Sequence, residues 1–203
     1  MGKVICMNVA ELKKLFKKHD SVMKTSELYD AGIVKYEIKK LIDSNILERI
    51  AQGYYKLYDE EISDIRLISV LLPDGVLCFD TALFYYGYSD RTPMEWHIAV
   101  YKDISKARVK LDYPYIKPYF IEQSILEMGI DEVVIDEVKV KMYSRDRLIC
   151  DCLKYETQMD VEIFNKAIRN YINDPKKNIS KLMEFATVRG IKKKVYDKIG
   201  TWL

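Results

Sequence analysis

Histidine is scarce in this chain, with two in 203 residues. Neither His19 nor His97 has a second histidine at ligand spacing, which argues against most hydrolytic and metal chemistry. There is no glycine-rich phosphate loop and no Gly-x-Ser-x-Gly nucleophile elbow. No Gly-Ser pair precedes Asp-x-Asp or Asp-x-Glu, so the chain lacks the nucleotidyltransferase pattern. No apolar run approaches the roughly 18 residues of a membrane span. The longest, Leu67 to Phe79, is cut by Pro73, Asp74 and Gly75. The opening Met1 to Met7 is too short for a secretory core and reaches polar Asn8 at once. It also fails the myristoylation pattern, with Cys6 where Ser or Thr is needed. These absences predict a cytoplasmic protein that is not an enzyme, with no cofactor, no bound metal and no membrane partner. Four cysteines, Cys6, Cys78, Cys150 and Cys152, are read as reduced thiols packed as small hydrophobes. Cys150 and Cys152 are two apart on an expected helix and point about 200° from each other, so they cannot share a ligand there.

What the chain does have is an ordinary globular composition, 49% apolar and 32% charged, and an uneven charge. The formal net charge is only +2. Residues 1–58 nevertheless carry eleven basic against seven acidic side chains, residues 59–140 eight against sixteen, and residues 141–203 fourteen against eight. A basic head, an acidic middle and a basic tail suggest surfaces with different partners. There is no internal repeat and no low-complexity segment.

Asn8 predicts a capped helix from Val9 to about Lys18, with Leu12, Leu15 and Phe16 on one face. Val22-Met23 reads as a short extended segment. Thr25 is the expected N-cap of a short helix over Ser26–Ala31, ended by Gly32. A third helix is predicted from about Lys35 to Ser44, with Ile38, Leu41 and Ile42 inward and Tyr36, Lys39, Lys40 and Asp43 outward, Lys35 on the flank. Leu47 to Ile50 and Tyr54 to Leu57 form a hairpin joined by Ala51-Gln52-Gly53. This order is that of a winged helix-turn-helix, in which the third helix enters the major groove and the hairpin touches flanking backbone. The expected contacts with double-stranded DNA are Thr25, Lys35, Tyr36, Lys39, Lys40, Arg49, Gln52 and Lys56.

The pattern changes after Asp59-Glu60-Glu61. A helix over Ile62–Leu72, a strand over Val76–Phe79 and a helix capped by Asp80 and ended by Gly87 are expected next. Strands follow at Trp96–Tyr101, Tyr115–Ile121, Val138–Tyr143 and, more weakly, Val133–Ile135. Ser144, Asp160 and Asn178 cap helices over Arg145–Tyr155, Val161–Ile172 and Ile179–Arg189, and Ile191–Trp202 closes the chain. The fold class predicted is α+β: a winged helix-turn-helix domain over 1–58, then a mixed α/β domain over 59–203 with a helical C-terminal segment.

Gly32-Ile33, Leu41 and the run Leu47-Glu48-Arg49-Ile50-Ala51-Gln52-Gly53-Tyr54-Tyr55-Lys56-Leu57 resemble the N-terminal domain of the AbiEi family of abortive-infection antitoxins. The likeness continues in Phe79-Asp80-Thr81-Ala82-Leu83-Phe84-Tyr85-Tyr86-Gly87-Tyr88-Ser89-Asp90 followed by Pro93. It extends to Arg147-Leu148-Ile149-Cys150-Asp151-Cys152-Leu153, and then to Ala167, Tyr171, Leu182, Ala186 and Gly190. Two positions depart from the family pattern: Val34 stands where many relatives cap the third helix with Ser or Asn, and Thr81 where Ser is commoner. The resemblance implies a type IV antitoxin. Such a protein represses its own operon by binding inverted repeats through the winged helix, and it counters a neighbouring nucleotidyltransferase-type toxin without needing a stable complex. The basic tail, with Lys166, Arg169, Lys181, Lys192, Lys193 and Lys194 on the polar sides of its helices, is the candidate antitoxin surface.

Two other functions are compatible with the residues. One is a winged-helix regulator whose second domain senses a ligand. The other is a metal-dependent nuclease using Glu137 and Lys139 on one strand face with an upstream carboxylate, for which Asp112 and Asp131 are the options.

Overall fold

The computed structural model describes residues 8–200. Cys6 and Trp202 lie outside the described residues. Among those residues the chain forms an α+β structure with eleven helices, a three-stranded antiparallel sheet and a five-stranded mixed sheet.

Helix α1 (Val9–Lys18) begins at a reciprocal box: Glu11 N–H donates to Asn8 Oδ1 at 2.8 Å, and Asn8 N–H to Glu11 Oε2 at 3.1 Å. Left-handed Asp20 and Ser21 (φ 52° and 67°) turn the chain into β1 (Val22–Lys24). Helix α2 (Thr25–Asp30) starts one residue before the expected position, and Thr25 is its first residue rather than its cap. Both Thr25 N–H (2.9 Å) and its hydroxyl (3.3 Å) donate to the Gly53 carbonyl. The N-terminal N–H at Lys24 is taken instead by Glu27 at 2.6 Å. Helix α3 (Lys35–Asp43) solves the missing cap at Val34 in the same way, with Val34 N–H donating to Glu37 at 2.9 Å.

Strands β2 (Leu47–Ala51) and β3 (Tyr54–Leu57) meet through a turn in which Gly53 takes φ 80°, and β1 pairs with the far side of β3. Strand alternation gives this sheet two interiors. Met23, Tyr55, Leu47 and Leu57 join α1–α3 in one core with Phe16, Leu28 and Ile38, while Val22, Tyr54, Ile50 and Ala51 pack against the other core.

Helix α4 (Asp64–Leu71) starts later than expected, leaving Ile62 and Ser63 outside it. Strand β4 is only Val76–Leu77, and α5 (Phe79–Tyr85) begins before Asp80, so Asp80 lies in its first turn rather than at its cap. The cause is a contact with the neighbouring strand: Thr81 accepts the His97 N–H at 2.8 Å, with Phe79 at φ 39°. Then come β5 (Trp96–Tyr101), α6 (Lys106–Val109), β6 (Ile116–Ile121), α7 (Gln123–Leu126), β7 (Ile130–Ile135) and β8 (Val138–Tyr143). The one-turn helices α6 and α7 are too short to carry a period. The spatial order is β6-β5-β4-β8-β7, with β4–β8 and β5–β6 parallel and the other pairs antiparallel.

Helices α8 (Arg145–Lys154), α9 (Val161–Asn173), α10 (Ile179–Val188) and α11 (Lys192–Ile199) follow. Ser144, Asp160 and Asn178 cap the first three through their side chains, as the sequence predicts. Helix α8 is buried from Asp146 to Leu153. Cys78, Cys150 and Cys152 are free, buried thiols, and burial pushes their pKa values upward, Cys150 to about 12. Fully buried Arg147 donates to Asp151 (2.9 Å) and to the carbonyls of Ile125 (2.7 Å) and Met128 (2.9 Å), and lies 4.3 Å over the Tyr143 ring. Asp151 also meets Arg189 at 2.9 Å. Asp146 accepts the Tyr171 hydroxyl and the Asn178 N–H, each at 2.7 Å, so α8, α9 and α10 share one polar seam.

Gly129 is the close approach in this assembly. Its φ is 71°, and a Cβ there would fall 2.8 Å from both Arg147 Cβ and Phe185 Cζ. Gly129→Ala is therefore expected to lower stability by about 2–4 kcal/mol through left-handed strain and overpacking. Urea unfolding checks this; a loss under about 0.5 kcal/mol, the range of ordinary surface changes, contradicts the packing described.

Candidate nucleic-acid interface

Helix α3 is amphipathic, and its polar face is exposed. Ile38 is buried, and Leu41 and Ile42 pack against the core of the first sheet. Lys35, Lys39 and Lys40 are exposed, and Tyr36 is 75% exposed. Val34 and Tyr29, on the segments flanking the α2–α3 turn, are also exposed. Lysine charge and an accessible ring therefore share the outer side of one short helix.

Gln52 is exposed in the β2–β3 turn, and exposed Arg49 donates from Nε to the Ala51 carbonyl at 3.3 Å. Both line a groove shared with Arg108 and Lys110, exposed residues at α6, and with Asp112. Arg108 and Lys110 are not among the expected contacts, because nothing local in the sequence indicates that residues nearly 60 positions apart border one groove.

Two of the expected contacts are engaged within the fold. The Thr25 hydroxyl is given to Gly53, fastening α2 to the hairpin turn. Lys56 lies on the sheet face that carries Val22, opposite Tyr55 and Leu57. Its ammonium meets Glu48 at 2.9 Å and the carbonyls of Glu60, Tyr58 and Leu57 at 3.0, 3.3 and 3.4 Å. It closes the chain where the hairpin leads into the acidic segment.

The tail cations are distributed over three helices. Lys166 on α9 pairs with Asp90, and Lys194 on α11 with Glu156 at 3.0 Å. Lys198 also reaches Glu156, and these two lysines hold its carboxyl below the usual range. Arg169 on α9, Lys181 on α10, and Lys192 and Lys193 on α11 are exposed.

The nuclease arrangement is not assembled by this topology. Asp136 and Glu137 form the left-handed turn of the β7–β8 hairpin (φ 47° and 63°). Asp131 pairs with Met142 towards the other end of that hairpin, and Asp112 precedes β6 at the opposite edge of the sheet. Among the described residues no three His, Cys, Asp or Glu side chains converge as a metal site, and no helix is long and apolar enough to cross a membrane.

No protein-family model matches the chain, and no curated protein matches it.

The geometry separates Lys56 from the exposed lysines. Lys56→Met is expected to lower stability by about 1–3 kcal/mol, because Glu48 and three carbonyls lose their partner. Urea unfolding checks this; a loss under about 0.5 kcal/mol, the range of ordinary surface changes, contradicts the clasp described.

Proposed function

We propose that this chain is a DNA-binding transcriptional regulator, with α1–α3 and the β2–β3 hairpin acting as a winged helix-turn-helix. The observation that carries the reading is the outer face of α3, where a largely exposed Tyr36 stands among exposed Lys35, Lys39 and Lys40 while the opposite face is core. Helix α3 enters the major groove, Tyr36 and Lys39 meet base edges near its start, and Lys35 and Lys40 approach phosphates. Arg49 and Gln52 contact the flanking backbone and minor groove from the hairpin. Arg108 and Lys110 extend that contact beyond the hairpin.

The test is a gel-shift salt series on duplex DNA from the region upstream of its own coding sequence. Binding weakens steeply with salt, by about 0.9 of a log unit per phosphate contact per decade. Lys40→Ala with Lys35→Ala lowers that slope by about two contacts. Tyr36→Ala reduces discrimination between this DNA and random duplex by about 1–3 kcal/mol and changes non-specific affinity little. An unchanged slope removes these lysines from the interface, and an equal loss on both duplexes removes Tyr36 from base reading.

The resemblance to the AbiEi antitoxins extends the proposal. The chain represses its own operon at inverted repeats and counters a nucleotidyltransferase-type toxin encoded beside it, using exposed Arg169, Lys181, Lys192 and Lys193. Lys192→Glu with Lys193→Glu then abolishes rescue in cells expressing that toxin while leaving operator binding intact. Lys194 is excluded from the test because its reversal would set a carboxylate against Glu156. Full rescue by the double variant, at wild-type protein level, removes α11 from the antitoxin surface.

A further inference from the structure

A pocket of about 530 Å³ opens between the start of α5, strands β5 and β6, and the segment following α8, a volume within the range of small-molecule sites. Its walls are aromatic: the Phe79 ring lies 4.5 Å from Tyr119 and 5.8 Å from Tyr155, centroid to centroid. Asp80, His97 and Lys117 supply the polar lining on which the argument rests.

His97 is 6% exposed. Its Nδ1 is approached by the Asp80 N–H at 3.4 Å and by the Tyr119 hydroxyl at 3.2 Å. Asp80 N–H can only donate, so Nδ1 accepts and the ring proton sits on Nε2. Burial, reinforced by Lys117 and opposed by Asp80, holds the pKa of this ring below its usual value, so it is neutral at pH 7. Nε2 is 3.9 Å from Asp80 Oδ2, beyond hydrogen-bond distance. A buried donor and a partly exposed carboxylate therefore stand side by side, unconnected, on one pocket wall. The backbone at this wall is strained as well. Phe79, a bulky residue, is held at φ 39°, and such outliers cluster at ligand clamps. Lys117 is exposed, with its ammonium 5.9 Å from the Tyr119 ring centroid.

We propose that this pocket binds a mononucleotide. The base stacks against this aromatic wall and presents an adjacent acceptor and donor, the pattern of every nucleobase pairing edge. His97 Nε2–H donates to the base acceptor, the Asp80 carboxylate takes the base N–H, and Lys117 meets the phosphate. The proposal is independent of DNA binding by α3, because none of these residues belongs to that surface.

The test is calorimetric titration of the full chain with AMP, GMP, CMP and UMP, with the corresponding nucleosides, and with ribose 5-phosphate. At least one nucleotide binds with Kd below about 1 mM, an affinity of about 4 kcal/mol, and more tightly than its nucleoside or ribose 5-phosphate. Asp80→Ala weakens nucleoside and nucleotide alike by about tenfold, the loss of one charged hydrogen bond. Lys117→Ala removes the advantage of nucleotide over nucleoside and leaves the nucleoside unchanged. Both side chains reach solvent, and circular dichroism checks that each variant folds. Absence of binding by all four nucleotides overturns the proposal. So does ribose 5-phosphate binding as tightly as the nucleotides, or a folded variant pair that binds like the parent.

Discussion

A guanidinium with no access to water organises the larger part of this protein. Burying Arg147 alone would be prohibitive, and removing one partner from such a group typically costs about 3–5 kcal/mol. The fold answers with Asp151 one helical turn away, the carbonyls of Ile125 in α7 and Met128 in the loop after it, and the face of Tyr143. These partners lie on α8 itself, on α7 and the loop before β7, and on β8, so holding one side chain ties those elements together, although Arg147 Nη2 is left without a hydrogen-bond partner. Asp151 Oδ1 lies close to Arg189 without a well-aligned hydrogen bond. That contact acts through charge, and it draws the end of α10 onto the same centre. Asp151 also lines the aromatic pocket, so the pocket's inner wall is set by the same group that holds the core.

The elements legible in the sequence are those whose signal is local. Helix α1 was readable from its cap and its Leu12–Phe16 stripe, β5 from a short apolar run, and β8 from alternation. The hairpin was readable from the Gly53-containing turn between two short extended segments. Phe79 shows where local reading stops. It belongs to an apolar run and looks like strand, yet a hydroxyl two residues later must reach the neighbouring strand, and the helix starts early. The one-turn helices α6 and α7 were not read because four residues carry no period.

Lys56 makes a different point about legibility. Period-two alternation correctly separates it from Tyr55 and Leu57, but alternation says only that two faces exist. It cannot say that the second face is covered, and covering turns an expected surface cation into a clasp over three carbonyls. The residues of the candidate pocket were hidden for a related reason. Asp80, His97, Lys117 and Tyr119 are brought together by a strand order that runs β6-β5-β4, and no periodicity encodes sheet order. The exposure of Tyr36, Lys39 and Lys40 was legible because their helix has a single covered face, and the stripe opposite it needs no tertiary knowledge.

The small sheet beside α1–α3 contributes apolar side chains to both cores: Met23 and Tyr55 to one, Val22 and Tyr54 to the other. The head of this protein is consequently not a detachable cassette. A gene fusion that transplanted residues 8–58 onto an unrelated body would carry a bare strip of valine, tyrosine and isoleucine to its new host. Recombination would have to move the strip's cover as well, so the two halves are expected to be inherited together and to drift in step along that seam.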